Sequence, residues 1–218
     1  MEIAVNKKEV LRYLGYRGAE ADEKVSSLTK ELLDLFSANV VPKSVYGVWD
    51  CRLDSSAALS AVSLGGMTVN SKNLCEHLKN CRHAVLLAAT LGTEADTLLR
   101  RLSVQDMEKA LIAQAVCAAM IEAYCDSIES EISKGKELDG LHPTARFSPG
   151  YGDFNITHQK DILSLLSCSR IGLTLTDGYM LIPSKSVTAV IGFSRDKKQV
   201  LGKCGYCDVK ECDARKAV

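Results

Sequence analysis

Between Asp106 and Lys134 runs the longest helical pattern in the chain, and its middle is made of small residues. Ser103 and Asp106 supply the start signal, a short oxygen-bearing side chain placed before a helical run. From there Leu111, Ala115, Ala118, Glu122, Cys125, Glu129 and Ile132 recur at alternating spacings of four and three, which stacks them on one helical face. Alanines in that row mean that whatever covers the helix comes close to its backbone. Glu122 interrupts the row, and an unpaired carboxylate there would cost several kcal/mol. Two readings of Glu122 stay open: it reaches water or pairs with a structural lysine, or it faces a ligand site beside Arg146.

Strand-like patterns lie on both sides of this helix in the chain. His83–Leu91 is a continuous apolar run of the sort found at a sheet centre. From Ser44 to Val69 the period is two, with a Gly65-Gly66 hairpin turn; Trp49 reads as a core or edge aromatic. Leu173–Tyr179 and Ser186–Phe193 read as two more strands joined through Pro183–Ser186, and Ile3–Val5 as a short one. Asn6 with Glu9 opens a helix carrying Val10, Leu11 and Leu14. Ala21–Asn39 is a second helix, with Val25, Leu28, Leu32, Leu33 and Phe36 on one side. Shorter helices follow at Ser71–Asn80, Glu94–Leu102 and Thr157–Ser167, the last with Ile162, Leu163, Leu165 and Leu166 inward. The expected organisation is one domain over residues 1–196 and a polar, cysteine-containing tail over 197–218.

Composition excludes some partners. Lys+Arg and Asp+Glu are each 27, so the net charge is zero and no polyanion surface is expected, hence no nucleic acid. The first residues lack the apolar core of a signal peptide. The apolar runs Val85–Leu91 and Ala110–Ile121 read as too short or interrupted for a membrane span. The expectation is a cytoplasmic protein without a membrane partner. Nine cysteines is an odd number and the chain is not a small secreted scaffold, so most thiols should be reduced core residues. Cys204, Cys207 and Cys212 are the best metal candidates, for zinc or an iron–sulfur cluster. Three thiolates leave a fourth position to Cys51, Cys75, Asp208, a partner or water; redox-labile thiols or a plain tail are the alternatives.

Residues 146–155, Arg-Phe-Ser-Pro-Gly-Tyr-Gly-Asp-Phe-Asn, follow neither period. Pro149 stiffens the turn, while Gly150 and Gly152 permit positive φ and close approach of a ligand. Arg146 offers a planar donor fork suited to a carboxylate, and Tyr151 an aromatic face with a polar tip. A tight surface turn is the bland reading; the density of special residues favours a ligand loop, with the ligand in a groove between residues 146–153 and the Glu122 helix. There is no Gly-rich phosphate loop, no Gly-x-Ser-x-Gly elbow and no His-Glu-x-x-His pair.

These motifs bring a family into view. Arg146-Phe-Ser-Pro-Gly-Tyr151, a helix, and then Leu173-Thr-Leu-Thr-Asp-Gly-Tyr-Met-Leu-Ile-Pro183-Ser-Lys-Ser186-Val resemble the activation domain of vitamin B12-dependent methionine synthase. That domain carries an Arg-Pro-x-Pro-Gly-Tyr loop, a helix, and a Leu-Thr-x-Ser-x-x-Met-x-Pro-x-x-Ser-Val block. The match is clear over about Ile121–Ser194, and the form here is similar to free-standing relatives of the domain. The resemblance implies an α+β fold: a twisted, mainly antiparallel sheet flanked by helices.

It also implies a function. The chain would bind S-adenosylmethionine (AdoMet) and support reductive remethylation of cob(II)alamin held by a cobalamin-binding methionine synthase or other corrinoid protein. A flavodoxin-type or ferredoxin-type donor would supply the electron. Arg146 matches the arginine that meets the AdoMet carboxylate, Glu122 a helix carboxylate at the ligand, and Ser148 a backbone contact beside Gly150. Tyr151 matches the loop tyrosine near the cobalamin, the one catalytic candidate. A family tyrosine after the second strand has no counterpart near Lys197–Gln199, and the family's early acidic contact has no evident match. Two alternatives are an adaptor for a corrinoid protein that does not bind AdoMet, and a redox carrier using the cysteine tail.

Overall fold

Seven of the eight residues of β5 (His83–Thr90) are buried, because both faces of this strand are covered. Val85, Leu87 and Ala89 point into one apolar cluster, and Ala84, Leu86 and Ala88 into a second. The computed structural model describes residues 3–16, 21–56, 59–135 and 138–195. In it β5 is an inner strand of a four-stranded antiparallel sheet, ordered β1 (Lys43–Asp50), β5, β9 (Ser186–Ser194) and β6 (His142–Pro143). Val85 stands opposite Val48 on one side and Ile191 on the other.

One face of the sheet is covered by helices. The longest, α5 (Met107–Ile132), lays Ile112, Ala113, Val116, Met120 and Tyr124 into the first cluster. Around it pack α1 (Lys7–Tyr13), α2 (Glu23–Asn39) and α4 (Thr93–Gln105). Side-chain oxygens start three of these helices: Asn6 accepts from the Lys8 N–H at 2.9 Å, Asp22 from Val25 at 2.7 Å, and Asp106 from Lys109 at 3.0 Å. The opposite face carries a three-stranded sheet of β2 (Arg52–Ser56), β3 (Leu59–Leu64) and β4 (Met67–Asn70). The short helices α3 (Lys72–His77) and α6 (Gln159–Leu165) complete that layer. The expected α+β architecture, antiparallel and helix-flanked, is the one observed.

Several local expectations are corrected. Ile3–Val5 forms no strand and instead packs Ile3 and Val5 against the helix cluster. Leu173–Tyr179 is not a strand running beside Ser186–Phe193. Only Thr174–Leu175 (β7) pairs, with Leu181–Ile182 (β8), because the chain turns at Tyr179 with φ 60°. Along its length β9 pairs with β5, about a hundred residues earlier, with Thr90 opposite Ser186. Leu111, placed on the inward stripe, is 65% exposed, since the buried arc of α5 is centred on Ile112 and Val116. The run containing Ala110–Ile121 belongs to a helix of 26 residues, long and apolar enough to cross a membrane. Here that helix is packed between the sheet and its neighbouring helices, which is the other environment such a composition suits. Cys204, Cys207 and Cys212, with the rest of the tail, lie outside the described residues.

Candidate functional site

Arg146 and Phe147 leave the chain in opposite directions, as neighbours in an extended segment must. Phe147 pairs its backbone with Val190 of β9, donating at 2.9 Å and accepting at 2.8 Å, so the segment prolongs the sheet edge where β6 ends. The Phe147 ring joins the α3–α6 side and stacks on Phe154 and His77. The Arg146 guanidinium goes to the helix side and meets α5.

There it finds three carboxylates. Arg146 Nη2 donates to Glu122 at 2.8 Å and to Asp126 at 2.6 Å, and Nη1 donates to Glu129 at 2.8 Å. Positions 122, 126 and 129 are spaced by four and three, which stacks their side chains along one stripe of the helix. Only 8% of the arginine side chain is exposed, against 22% for Glu122, 21% for Glu129 and 67% for Asp126. Burial disfavours the Arg146 charge, but Cys125, Glu122 and Asp126 outweigh it and hold the pKa above the ordinary arginine value. Its Nε is buried with no hydrogen-bond partner. The stabilised cation and the three acids form one unit.

Glu122 and Asp126 also line a cleft of about 140 Å³ with Ala119 and Ala123 of α5, closed on the other side by Ala4, Asn6 and Glu9. The wall opposite Glu122 in this cleft is the N-terminal segment, whereas the sequence reading sets the groove between residues 146–153 and the Glu122 helix. Glu9 accepts from Arg12 at 3.0 Å, so the cleft carries acids on both walls and a base set back on each side. Sequence reasoning finds Glu122 and Arg146 and misses Asp126, Glu9 and Asn6. The helical spacing of 122, 126 and 129 was a readable signal for Asp126; nothing in the sequence places the N-terminal segment here.

The loop beyond Arg146 is held by α3 from both ends. At the C-terminal end of α3, His77 Nε2 bonds the Ala145 carbonyl at 2.8 Å and lies 2.9 Å from Thr144 Oγ1, which accepts from the Gly192 N–H. Burial lowers the His77 pKa below the usual histidine value, against the opposing bond to Ala145. At the N-terminal end, Asp153 accepts from Ser71 Oγ, from the Lys72 N–H at 2.7 Å and from the Asn73 N–H at 3.1 Å. Burial works against its charge, yet these donors prevail and hold the carboxyl below the ordinary aspartate value. Between the anchors Gly150 has φ 96° and donates to Phe154 O at 2.7 Å. Gly152, at φ 53°, passes so close to Asn73 that a Cβ would lie 2.7 Å from its Oδ1. Pro149 is buried and Ser148 half-buried, while Tyr151 is 41% exposed, its ring 6.4 Å from Phe147. Among the described residues no group of three or more His, Cys, Asp or Glu is arranged to hold a metal ion.

Residues 76–217 match the family described as vitamin B12 dependent methionine synthase, activation domain. No curated protein matches the chain. Among solved structures, the crystal structure of the MetH reactivation domain bound to AdoHcy is similar, with a TM-score of 0.60 and 16% sequence identity. The similarity covers 88% of this chain and 77% of that one. At that identity the likeness speaks for the fold, while the family match spans most of the sequence and contains both Arg146 and the Pro183–Ser186 block. The chain belongs to the vitamin B12-dependent methionine synthase activation domain family.

Proposed function

We propose that this chain is a stand-alone reactivation module for a cobalamin-dependent methionine synthase, binding AdoMet and acting on a corrinoid carried by another polypeptide. One observation carries the reading: Arg146 and Glu122, the two residues matched to the family's ligand contacts, meet at 2.8 Å, and Glu122 lines a cleft. The residues present fit the ligand. A sulfonium and an ammonium call for carboxylates, which Glu9, Glu122 and Asp126 supply in the cleft; a ligand carboxylate calls for a fork, and the nearest is Arg146, bonded to Glu122 and Asp126 outside the cleft lining. The cleft is smaller than the roughly 300–1,000 Å³ of sites that enclose a whole ligand, so it suits the amino-acid end.

When bound, AdoMet supplies a methyl cation; together with one electron it converts the partner's cobalt(II) corrinoid to the methylated form. The electron comes from a flavodoxin-type or ferredoxin-type donor. This chain's residues bind and orient. Arg146 and Glu122 fix the ligand's polar end, while Ser148 and Gly150, which do not line the cleft, offer loop backbone to the rest of the ligand. Tyr151, exposed on a loop clamped at both ends, is the contact for the corrinoid face. A stiff loop matters because methyl transfer needs reacting atoms within roughly 3–3.5 Å.

The test is reconstitution: cobalt(II) corrinoid protein from the same cell, a low-potential reductant, AdoMet and this chain, followed by the corrinoid visible spectrum. Accelerated return to the methylated form is expected, slowed by Tyr151→Ala with AdoMet binding retained. No acceleration with any native corrinoid partner overturns the reading. The three acids already on Arg146 favour a second reading, an adaptor that docks on a corrinoid protein without AdoMet. Calorimetry with AdoMet separates the two.

A further inference from the structure

A strand at the rim of a sheet has a row of backbone groups with no strand to bond. β1 is such a strand, at one end of the order β1, β5, β9, β6. It runs in unbroken register from Lys43 opposite Thr90 to Asp50 opposite His83. The features that usually guard an edge are missing from its interior: there is no proline, no bulge, and no lysine after Lys43. The Cys51 N–H donates to Arg82 O at 3.0 Å. By antiparallel alternation Val45, Gly47 and Trp49 then bond β5, while Ser44, Tyr46, Val48 and Asp50 turn their N–H and C=O outward. Among the described residues none of these outward groups has a backbone partner. The turn at Cys168–Ile171 lies near β1 but bonds its backbone locally, Arg170 to Ser167 and Leu173 to Cys168. Tyr46, in the middle of the row, is 45% exposed.

We propose that β1 is a homodimer interface: it pairs antiparallel with β1 of a second copy about a two-fold axis at Gly47, joining the two sheets edge to edge. Outward groups meet only outward groups, so an even-numbered residue must stand opposite an even-numbered one. An axis at Gly47 sets Ser44 opposite Asp50, and Tyr46 opposite Val48, of the second copy. Between them Val45 faces Trp49, and Gly47 faces Gly47 with no side chain to collide. Val45 and Trp49 border the α3–α6 cluster and Val48 borders the helix cluster, so the pairing continues both apolar layers across the axis. No charge meets its like, since Lys43 stands opposite Cys51. Neighbouring registers fit worse. An axis at Tyr46 brings Pro42, which has no N–H, opposite Asp50, and an axis at Val48 sets the Tyr46 ring against the Asp50 carboxylate. The strand is thus complementary to itself, as a two-fold interface requires.

The experiment is sedimentation equilibrium of the full chain from about 1 to 100 μM, the range of a modest dimer, on the parent, Tyr46→Lys and Tyr46→Phe. Thermal melts confirm that each variant is folded, as an exposed edge position permits. The parent is expected to dimerise, Tyr46→Phe to match it, and Tyr46→Lys to dissociate at least about tenfold more readily, since an edge lysine opposes strand pairing. Amide hydrogen exchange at single-residue resolution locates the contact. In the parent the Ser44, Tyr46, Val48 and Asp50 amides should be protected and lose protection on dilution. In Tyr46→Lys they should exchange freely while Val45, Gly47 and Trp49 stay protected by β5. A parent that is monomeric throughout overturns the proposal. So does a dimer that Tyr46→Lys leaves intact with the even-numbered amides unprotected, because the contact is then on another face. Protection of those amides in a monomer overturns it too, because the edge is then covered from within the chain.

Discussion

The Asp153 carboxylate accepts the Lys72 N–H at 2.7 Å, closing the candidate loop onto a helix 81 residues earlier in the chain. With Ser71 Oγ and the Asn73 N–H on the same side chain, the loop's carboxylate is a structural anchor. Asp153→Ala should therefore cost about 1–2 kcal/mol, the value of a helix cap, measured by denaturant unfolding. Because its folded pKa is depressed, its contribution is present above the unfolded value and is lost as pH falls through the folded one. Melts should show a decline below about pH 4 that is smaller in Asp153→Asn. An identical acid profile in the variant would count against the anchor.

His77 works at the other end of the same helix and titrates in a different window. Its folded pKa is lowered by burial, so the unfolded chain takes up the proton first and stability falls as pH drops below about 6.5. His77→Gln should flatten the stability profile between about pH 6.5 and 5. The measurement is melting temperature against pH, and an unchanged slope would refute the assignment.

Trp49 is the only tryptophan and lies across Gly47, where a Cβ would sit 2.4 Å from its ring. Gly47→Ala should push the indole off its seat at a cost of about 1–3 kcal/mol, the usual price of overpacking. A red shift of the fluorescence should accompany the loss. Unshifted emission would show that the ring does not rest there.

Removing Arg146 leaves Glu122, Asp126 and Glu129 facing one another. Arg146→Met should destabilise by about 3 kcal/mol, as when one partner of a buried ion pair is deleted; Arg146→Lys should lose less. Repulsion among the remaining acids raises their folded pKa values, so the Met variant should gain stability as pH falls from about 7 to 5. Thermal melts across that range decide it. A Met variant as stable as the parent at neutral pH would mean the cluster contributes nothing to folding.

Much of the scaffold was legible because it obeys local rules. Asn6 and Asp106 start helices with short side-chain oxygens, and β5 announces itself by a run that no half-exposed strand would carry. Glu122 was singled out because a carboxylate in an alanine row needs a partner, and that partner is Arg146 rather than a lysine. What stayed hidden is non-local. Alternation in Leu173–Tyr179 gave no warning of Tyr179 in the left-handed region, and no period reveals that β9 passes to β5. Ala4, Asn6 and Glu9 reach the cleft only because α1 packs on α5, a docking decided by tertiary contacts.

The placement of β5 also dictates when this protein can fold. One flank of the strand is satisfied by β1, which emerges from the ribosome before it, but the other waits for Ser186–Ser194, whose Ser186 bonds Thr90 from 96 residues away. Until then, Ala84-Val-Leu-Leu-Ala-Ala89 presents an apolar strand with a bare edge, the kind of segment that recruits other chains. Nascent chains arrested anywhere before Ser186 should accordingly depend on holding chaperones, and release of Ser186–Ser194 from the ribosome becomes the trigger for closure.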